Sequence, residues 1–236
     1  MLNKEKHQLI MGEILKDIYS NISISPLLGF KGGSCAYFFY ALSRFSVDLD
    51  FDLLDPTEEN KALVFAKIKE ILEKHGEIKD NYIKRNTIFF TISYGNQDHN
   101  IKIETSTRVL GFSLKDQYEL KEYLGISMLV AKRDYLFACK LSALTQRKDM
   151  AMRDVYDIWF FGKNRWEINR EVVEFWTSKK IKDYLKDCVE VTERINETQI
   201  LKGLGELLDE KQKAWAKKNL KAEALFTIKN YMTVLK

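Results

Sequence analysis

Three aspartates, Asp48, Asp50 and Asp52, alternate with Val47, Leu49, Phe51 and Leu53 in the run SVDLDFDLL. A strand repeats every two residues, so this spacing sets the three carboxylates on one face and the apolar side chains on the other. Like charges in a row repel, and a metal ion, a cationic ligand or water must compensate them. A fourth acid, Glu104, stands in the strand-like run NIKIETS beside Lys102, with Ile101 and Ile103 on the opposite face. Taken together, Asp48, Asp50 and Glu104 offer the oxygen ligands a hard divalent cation needs. Phosphoryl transfer uses such an ion to neutralise charge and orient the attacking oxygen. The alternative is a solvated edge strand, with Glu104 paired to Lys102 or another nearby base.

The surrounding elements must hold these acids in place. Leu27 to Phe30 reads as a short strand that runs into Gly32-Gly33-Ser34. The glycines permit a tight turn, Ser34 is suited to cap a helix reaching about Leu42, and the turn and helix start offer backbone donors to phosphate oxygens. Arg44 precedes the acidic strand, expected over Val47 to Leu53, and can contact phosphate or brace the acids. Lys31 can do the same or stand as a solvated lysine beside a turn. Upstream, Lys6 to Ser20 has the spacing of an amphipathic helix. Downstream, Asp55-Pro56-Thr57 punctuates the chain before a helix that stops near His75-Gly76. Strands are expected at Ile78–Lys84, Thr87–Tyr94 and Asn100–Ser106, with GNQDH (Gly95–His99) as a hairpin loop between the last two. Gly111 to Gly125 is less periodic, and Ile126 to Val130 reads as a strand or as the lead-in to a helix. A run of strands after an initial strand and helix indicates an α+β fold or a mixed sheet rather than repeated βαβ units.

From Lys132 the character changes. Helices are expected over 132–147, 150–161, 166–178, 179–193 and 213–230, which divides the chain into an α+β domain, 1–131, and a helical domain, 132–236, with their junction as the expected cleft. Lys140, Leu144 and Arg147 share one helical face, and Arg153, Asp154 and Asp157 follow on the next helix. Two readings stay open. Lys140, Arg147 and Arg153 can bind phosphates, or the group is an inter-helix ion-pair network in which Asp154 satisfies Arg147 and Asp157 pairs with Arg153. Lys140 is the polar interruption of an apolar face. Trp159, Trp166, Trp176 and Trp215 sit among apolar residues and read as packing rather than base stacking.

The 236 residues suffice for a substantial core, and 45% apolar with 31% charged side chains excludes a disordered chain. A net charge of +4, from 38 basic and 34 acidic residues, only weakly favours an anionic partner. Short basic pairs such as Lys84-Arg85, Lys132-Arg133, Arg147-Lys148, Lys179-Lys180 and Lys217-Lys218 are the elements an RNA-binding surface would use. Cys35, Cys139 and Cys188 are odd in number and lack CxxC spacing, which argues against disulfides and thiolate zinc and for a reducing compartment. His7, His75 and His99 share no motif. No leader-like apolar region opens the chain and no eighteen-residue apolar run occurs, so a cytoplasmic location without a membrane is expected.

The order GGS, thirteen residues, then DLDF resembles the nucleotidyltransferase signature, in which a Gly-Ser turn precedes a paired-aspartate strand. KGGSCAYFFYALSRFSVDLDF, IKIETS and FACKLSALTQRKDMAMRDVYDIWFF together resemble the abortive-infection toxin family AbiEii/AbiGii over about residues 27–161. The resemblance implies a nucleotidyltransferase-like mixed sheet with flanking helices. It implies that Gly33 and Ser34 hold nucleotide phosphates, and that Asp48 and Asp50 bind magnesium, with manganese as an alternative. Glu104 becomes the third carboxylate, as base or polariser of the attacking hydroxyl, and Asp52 drops out as a bystander. Lys140, Asp154 and Asp157 become second-domain residues of the same site. Ser34-Cys35-Ala36 departs from the Thr or Ser with Ala-Leu of many relatives but keeps the hydroxyl.

The implied activity is transfer of a nucleoside monophosphate from a nucleoside triphosphate to a hydroxyl. The implied acceptor is tRNA or another RNA, and the implied setting a type IV toxin–antitoxin system with a separately encoded antitoxin. A nucleotide-binding protein without catalysis, or a kinase-like phosphotransferase on the same fold, are the alternatives.

Overall fold

A computed structural model describes residues 3–95, 100–147 and 150–234. The expected hairpin-loop residues Asn96 to His99 and Lys148 of the basic pair lie outside the described residues. By internal contacts the chain divides into two compact units. One comprises 1–41 with 45–132, the other 42–44 with 133–236.

The first unit is built on a seven-stranded mixed sheet. In chain order its elements are α1 (Lys4–Ser20), β1 (Leu28–Lys31), α2 (Gly32–Tyr40), β2 (Leu49–Leu53), α3 (Glu58–Leu72), β3 (Glu77–Lys84), β4 (Thr87–Ser93), β5 (Asn100–Ser106), β6 (Tyr118–Tyr123) and β7 (Ile126–Ala131). The strands lie in the order β3-β4-β5-β2-β1-β7-β6. β2 runs antiparallel to β1 and parallel to β5, and β1 runs parallel to β7. Register partners share a face. One face therefore carries Phe30, Phe51, Ile103 and Phe90, all fully buried. Helices α1, α2 and α3 each set a ring against it: Tyr19 against Phe51, Phe39 against Phe30, and Phe65 stacked 4.9 Å from Phe90. The other face carries Lys31, Asp50, Asp52 and Glu104. Three helices on the apolar face thus define where the polar row can lie.

Three local expectations need correction. The acidic strand begins at Leu49 rather than Val47, so Asp48 stands just before it. Helix α2 ends at Tyr40, short of Leu42, because Ala41 turns into the left-handed region at φ 55°. The aperiodic stretch 111–125 contains a strand, β6, paired with β7 through the tight turn Leu124-Gly125, both at positive φ. β6 is an edge strand, solvated over most of its length, and needs no clean apolar alternation.

The second unit is helical, with α4 (Arg133–Gln146), α5 (Met152–Lys163), α6 (Arg170–Thr177), α7 (Ile181–Glu193) and α8 (Glu210–Val234). Aromatic rings fill its core: Trp159 lies 4.1 Å from Trp215, and Phe161 stacks on Trp166 at the same distance. Gly162 lets α5 and α8 approach closely, since a Cβ there would stand 2.0 Å from the Thr227 methyl. The packing reading of Trp159 and Trp166 holds, with 7% and 6% of their surface exposed. Among the described residues no helix is long and apolar enough to cross a membrane.

Candidate active site

The acids of the first unit are set in place by one turn. β1 ends at Lys31 and α2 starts at Gly32, whose φ of +80° is the left-handed conformation that glycine adopts without penalty. Glycine is needed there for a second reason. A Cβ on Gly32 would stand 2.2 Å from Asp50 Oδ2 and 2.9 Å from its Cγ, so the carboxylate of Asp50 lies directly against the bare backbone of the turn.

Ser34 is not the helix cap. It lies inside the first turn, fully buried, and its hydroxyl donates to the carbonyl of Asp48. That bond ties the turn to the residue leading into β2. The cap position belongs to Lys31, whose side chain has no acceptor to offer and makes no capping bond to the first turn of α2.

Register then orders the carboxylates. Asp50 sits between Lys31 of β1 and Glu104 of β5, and the three form one row across three strands on one face. Asp50 is half-buried and Glu104 exposed. One row further along the strand, Asp52 is 3% exposed and takes two donors, Lys31 Nζ at 2.6 Å and the Tyr118 hydroxyl at 2.7 Å. The solvated reading of Lys31 gives way to this ion pair.

Among the described residues, no group of three or more His, Cys, Asp or Glu side chains is gathered so as to hold a metal ion. The donors themselves suit a hard cation, being carboxylate oxygens at Asp48, Asp50 and Glu104. The bare Gly32 backbone makes room for the Asp50 carboxylate itself, which sets that donor against the turn.

The acids of the second unit are enclosed instead. Asp157 is fully buried and accepts a bidentate grip from Arg44, Nε at 2.6 Å and Nη2 at 2.7 Å, and Arg44 is itself only 2% exposed. Lys140 Nζ bridges Asp154 Oδ1 at 2.7 Å and Asp157 Oδ2 at 3.0 Å. Arg147 Nε lies 3.2 Å from Asp154 Oδ2 as an ion pair, without the alignment of a hydrogen bond. Three cations thus surround two carboxylates. Asp157 is held by Arg44 and Lys140, not through the Arg153 pairing that sequence spacing offers, whereas the Asp154–Arg147 pairing is present. Arg153 adds its charge to the field on Asp154 from the first turn of α5.

Burial opposes the charges of Lys140, Asp154 and Arg44, and their partners outweigh it. Burial pulls the Lys140 ammonium down, but Asp154 and Asp157 leave it above the ordinary lysine value. Burial likewise opposes the Asp154 carboxylate, and Lys140 and Arg147 hold it below the usual carboxylate range. For Arg44, the adjacent Asp157 carboxylate reverses the effect of burial and keeps the guanidinium charged. Sequence reasoning left the Arg44 role open between phosphate and acids. The partner of Arg44 is set by the fold, which groups the short segment 42–44 with the helical unit.

Comparison with known proteins agrees with this architecture. The chain has the fold of a candidate nucleotidyltransferase solved from H. pylori, at 18% identity and a TM-score of 0.60 over 100% of this chain and 99% of the other. JHP933 from Helicobacter pylori matches at 17% identity and 0.58, covering 100% and 97%. MenT4, a nucleotidyltransferase toxin from Mycobacterium tuberculosis, matches at 16% identity and 0.52, covering 99% and 93%. No curated protein matches the sequence. The profile of the nucleotidyl transferase AbiEii toxin family, from type IV toxin–antitoxin systems, matches residues 13–225, and the chain belongs to that family.

Proposed function

We propose that the protein transfers a nucleoside monophosphate from a nucleoside triphosphate to a hydroxyl acceptor, with release of pyrophosphate. The observation that carries this reading is the Asp50 carboxylate laid against Gly32 at the start of an uncapped helix, with Glu104 beside it in register. That arrangement brings a carboxylate pair next to the N-terminal turn of a helix, the combination that phosphate and its counter-ion require.

Gly33 and Ser34 lie in that first turn, whose backbone would receive phosphate oxygens, while the Ser34 hydroxyl anchors the turn to Asp48. Asp48 and Asp50, aided by Glu104, would hold magnesium or manganese, which when bound supplies charge neutralisation at the phosphates. Glu104 is exposed and stands next to Asp50, a position suited to accepting the proton of an incoming hydroxyl. In the second unit, Lys140, oriented by Asp154 and Asp157, and the partly exposed Arg147 and Arg153 are cations suited to phosphate oxygens. Arg44 acts one step back, fixing Asp157.

Family membership supports a separately encoded antitoxin as partner, and tRNA or another RNA is the acceptor we favour. Incubation with each α-labelled triphosphate, magnesium and RNA, protein or small-molecule acceptors tests the reading. Label should enter an acceptor with wild type and not with Asp50→Ala. Transfer of γ-label instead would make the protein a kinase, and neither label moving while triphosphate still binds would leave a nucleotide-binding protein.

A further inference from the structure

Asp52 and Lys31 have no place in the machinery described so far, and their geometry gives them one. Asp52 is an acid at the centre of a sheet, 4% exposed at its side chain, and both its oxygens are taken: Oδ1 by Lys31 at 2.6 Å and Oδ2 by Tyr118 at 2.7 Å. Tyr118 is pinned in turn, because its ring fills the space above Gly29, where a Cβ would meet it at 2.3 Å. Gly29 is the register partner of Asp52. The result is a fixed chain from the Tyr118 hydroxyl through the Asp52 carboxylate to the Lys31 ammonium.

Lys31 is the more open member of the pair. Its side chain retains 23% of its exposure while the acid it pairs with is sealed. Its backbone pairs with Asp50, and its Cα is the residue from which the uncapped first turn of α2 departs. A buried ion pair is seldom the best route to stability, since apolar residues of similar volume do as well or better. A partly exposed lysine oriented by a sealed carboxylate, in the row that holds Asp50 and Glu104, is a different device. It presents one fixed positive charge beside the carboxylates.

We propose that Lys31 is a phosphate-contacting residue of this site, binding the β- or γ-phosphate of the triphosphate, and that Asp52 and Tyr118 are the positioning residues that aim it. This inference rests on the nucleotide reading above. The α-phosphate belongs to the reacting centre, and a lysine outside the Asp48, Asp50 and Glu104 set is suited to the part of the ligand that leaves. Lysine is apt here because it acts as a point charge on a phosphate. Without Asp52 its long side chain would spend most of its time in other rotamers.

The test is a set of magnesium-containing binding titrations with the four nucleoside triphosphates, the matching monophosphates and inorganic tripolyphosphate, using wild type, Lys31→Met, Lys31→Arg, Asp52→Asn and Tyr118→Phe. Loss of one charge-assisted contact corresponds to roughly 10- to 100-fold in affinity. Lys31→Met should weaken triphosphate and tripolyphosphate by that factor and monophosphate by less than about threefold. Lys31→Arg should recover most of the loss, and Asp52→Asn should follow Lys31→Met at smaller amplitude, with Tyr118→Phe weaker again. If Lys31→Met fails to fold because Asp52 is left buried alone, the double variant Lys31→Met/Asp52→Asn removes both charges and should show the same selective loss.

Triphosphate binding unchanged in a folded Lys31→Met or double variant would overturn the inference, as would equal weakening of mono- and triphosphate, which marks a purely structural pair. The nucleotide-transfer reading fails separately, when wild type binds triphosphate through Lys31 yet moves no α-label.

Discussion

The first unit and the second each hold a pair of carboxylates, Asp50 with Glu104 and Asp154 with Asp157, and the two pairs live in opposite surroundings. Asp154 and Asp157 are 1% and 0% exposed and are gripped by Lys140, Arg147 and Arg44. Asp50 is half-buried against the bare backbone of Gly32, and its strand neighbour Glu104 is open to solvent. Carboxylates of the first kind have their charge matched by the fold itself. Those of the second kind are the ones we propose to hold the metal ion. Asp52 is intermediate, sealed like the second-unit pair but held by one partly exposed lysine and the Tyr118 hydroxyl.

The contrast can be broken most forcefully in the second unit. Asp157→Ala leaves the Arg44 guanidinium buried without its partner, and removing one member of such a pair costs about 3–5 kcal/mol. Denaturant titration should show that loss, and a cost under about 1 kcal/mol would mean that the network is not structural. Gly32→Ala attacks the first unit at its tightest point, combining a left-handed backbone with a Cβ against Asp50. It should cost about 1–2 kcal/mol of stability and at least about tenfold in transfer, because the carboxylate must move aside.

The next effect is one of pH. Asp154 is held below its ordinary value of 3.8, so its contribution is complete above that value and is lost as pH falls through the lowered one. Lys140 is held above its ordinary value of 10.5, so its contribution is complete below that value and is lost as pH rises through the raised one. Thermal melts of wild type should therefore fall off at both extremes, and Asp154→Asn should flatten the acid limb. The smallest effect sharpens the other side. Glu104→Gln, at an exposed position, should change stability by no more than about 0.5 kcal/mol while still lowering transfer.

Much of this arrangement was legible in the residues. The Gly-Gly-Ser turn, the alternating acids, NIKIETS and the five helices of the second half carry local signals strong enough to place a mixed sheet followed by a helical unit. The missing pieces are those settled by tertiary partners. β6 reads as loop because an edge strand needs no apolar face. Ser34 reads as a cap because serine favours caps, yet the turn is tied through it to the Asp48 carbonyl. Arg44 reads as ambiguous because its partner, Asp157, lies 113 residues away. Asp52 reads as a bystander because nothing in SVDLDFDLL announces Tyr118. Spacing tells which residues share a face, but not which of their charges the fold has already answered.

The central claim is that Asp50 is an acid kept for a ligand while Asp157 is an acid kept for the fold. Measuring α-phosphate transfer and unfolding free energy side by side for Asp50→Asn and Asp157→Asn tests it directly. Asp50→Asn should lose on the order of 10³-fold in transfer, the several kcal/mol a metal ligand supplies, with stability within about 0.5 kcal/mol of wild type. Asp157→Asn should lose several kcal/mol of stability, since it leaves Arg44 and Lys140 short of a charge. Asp50→Asn retaining transfer, or unfolding the protein as Asp157→Asn does, would contradict the account.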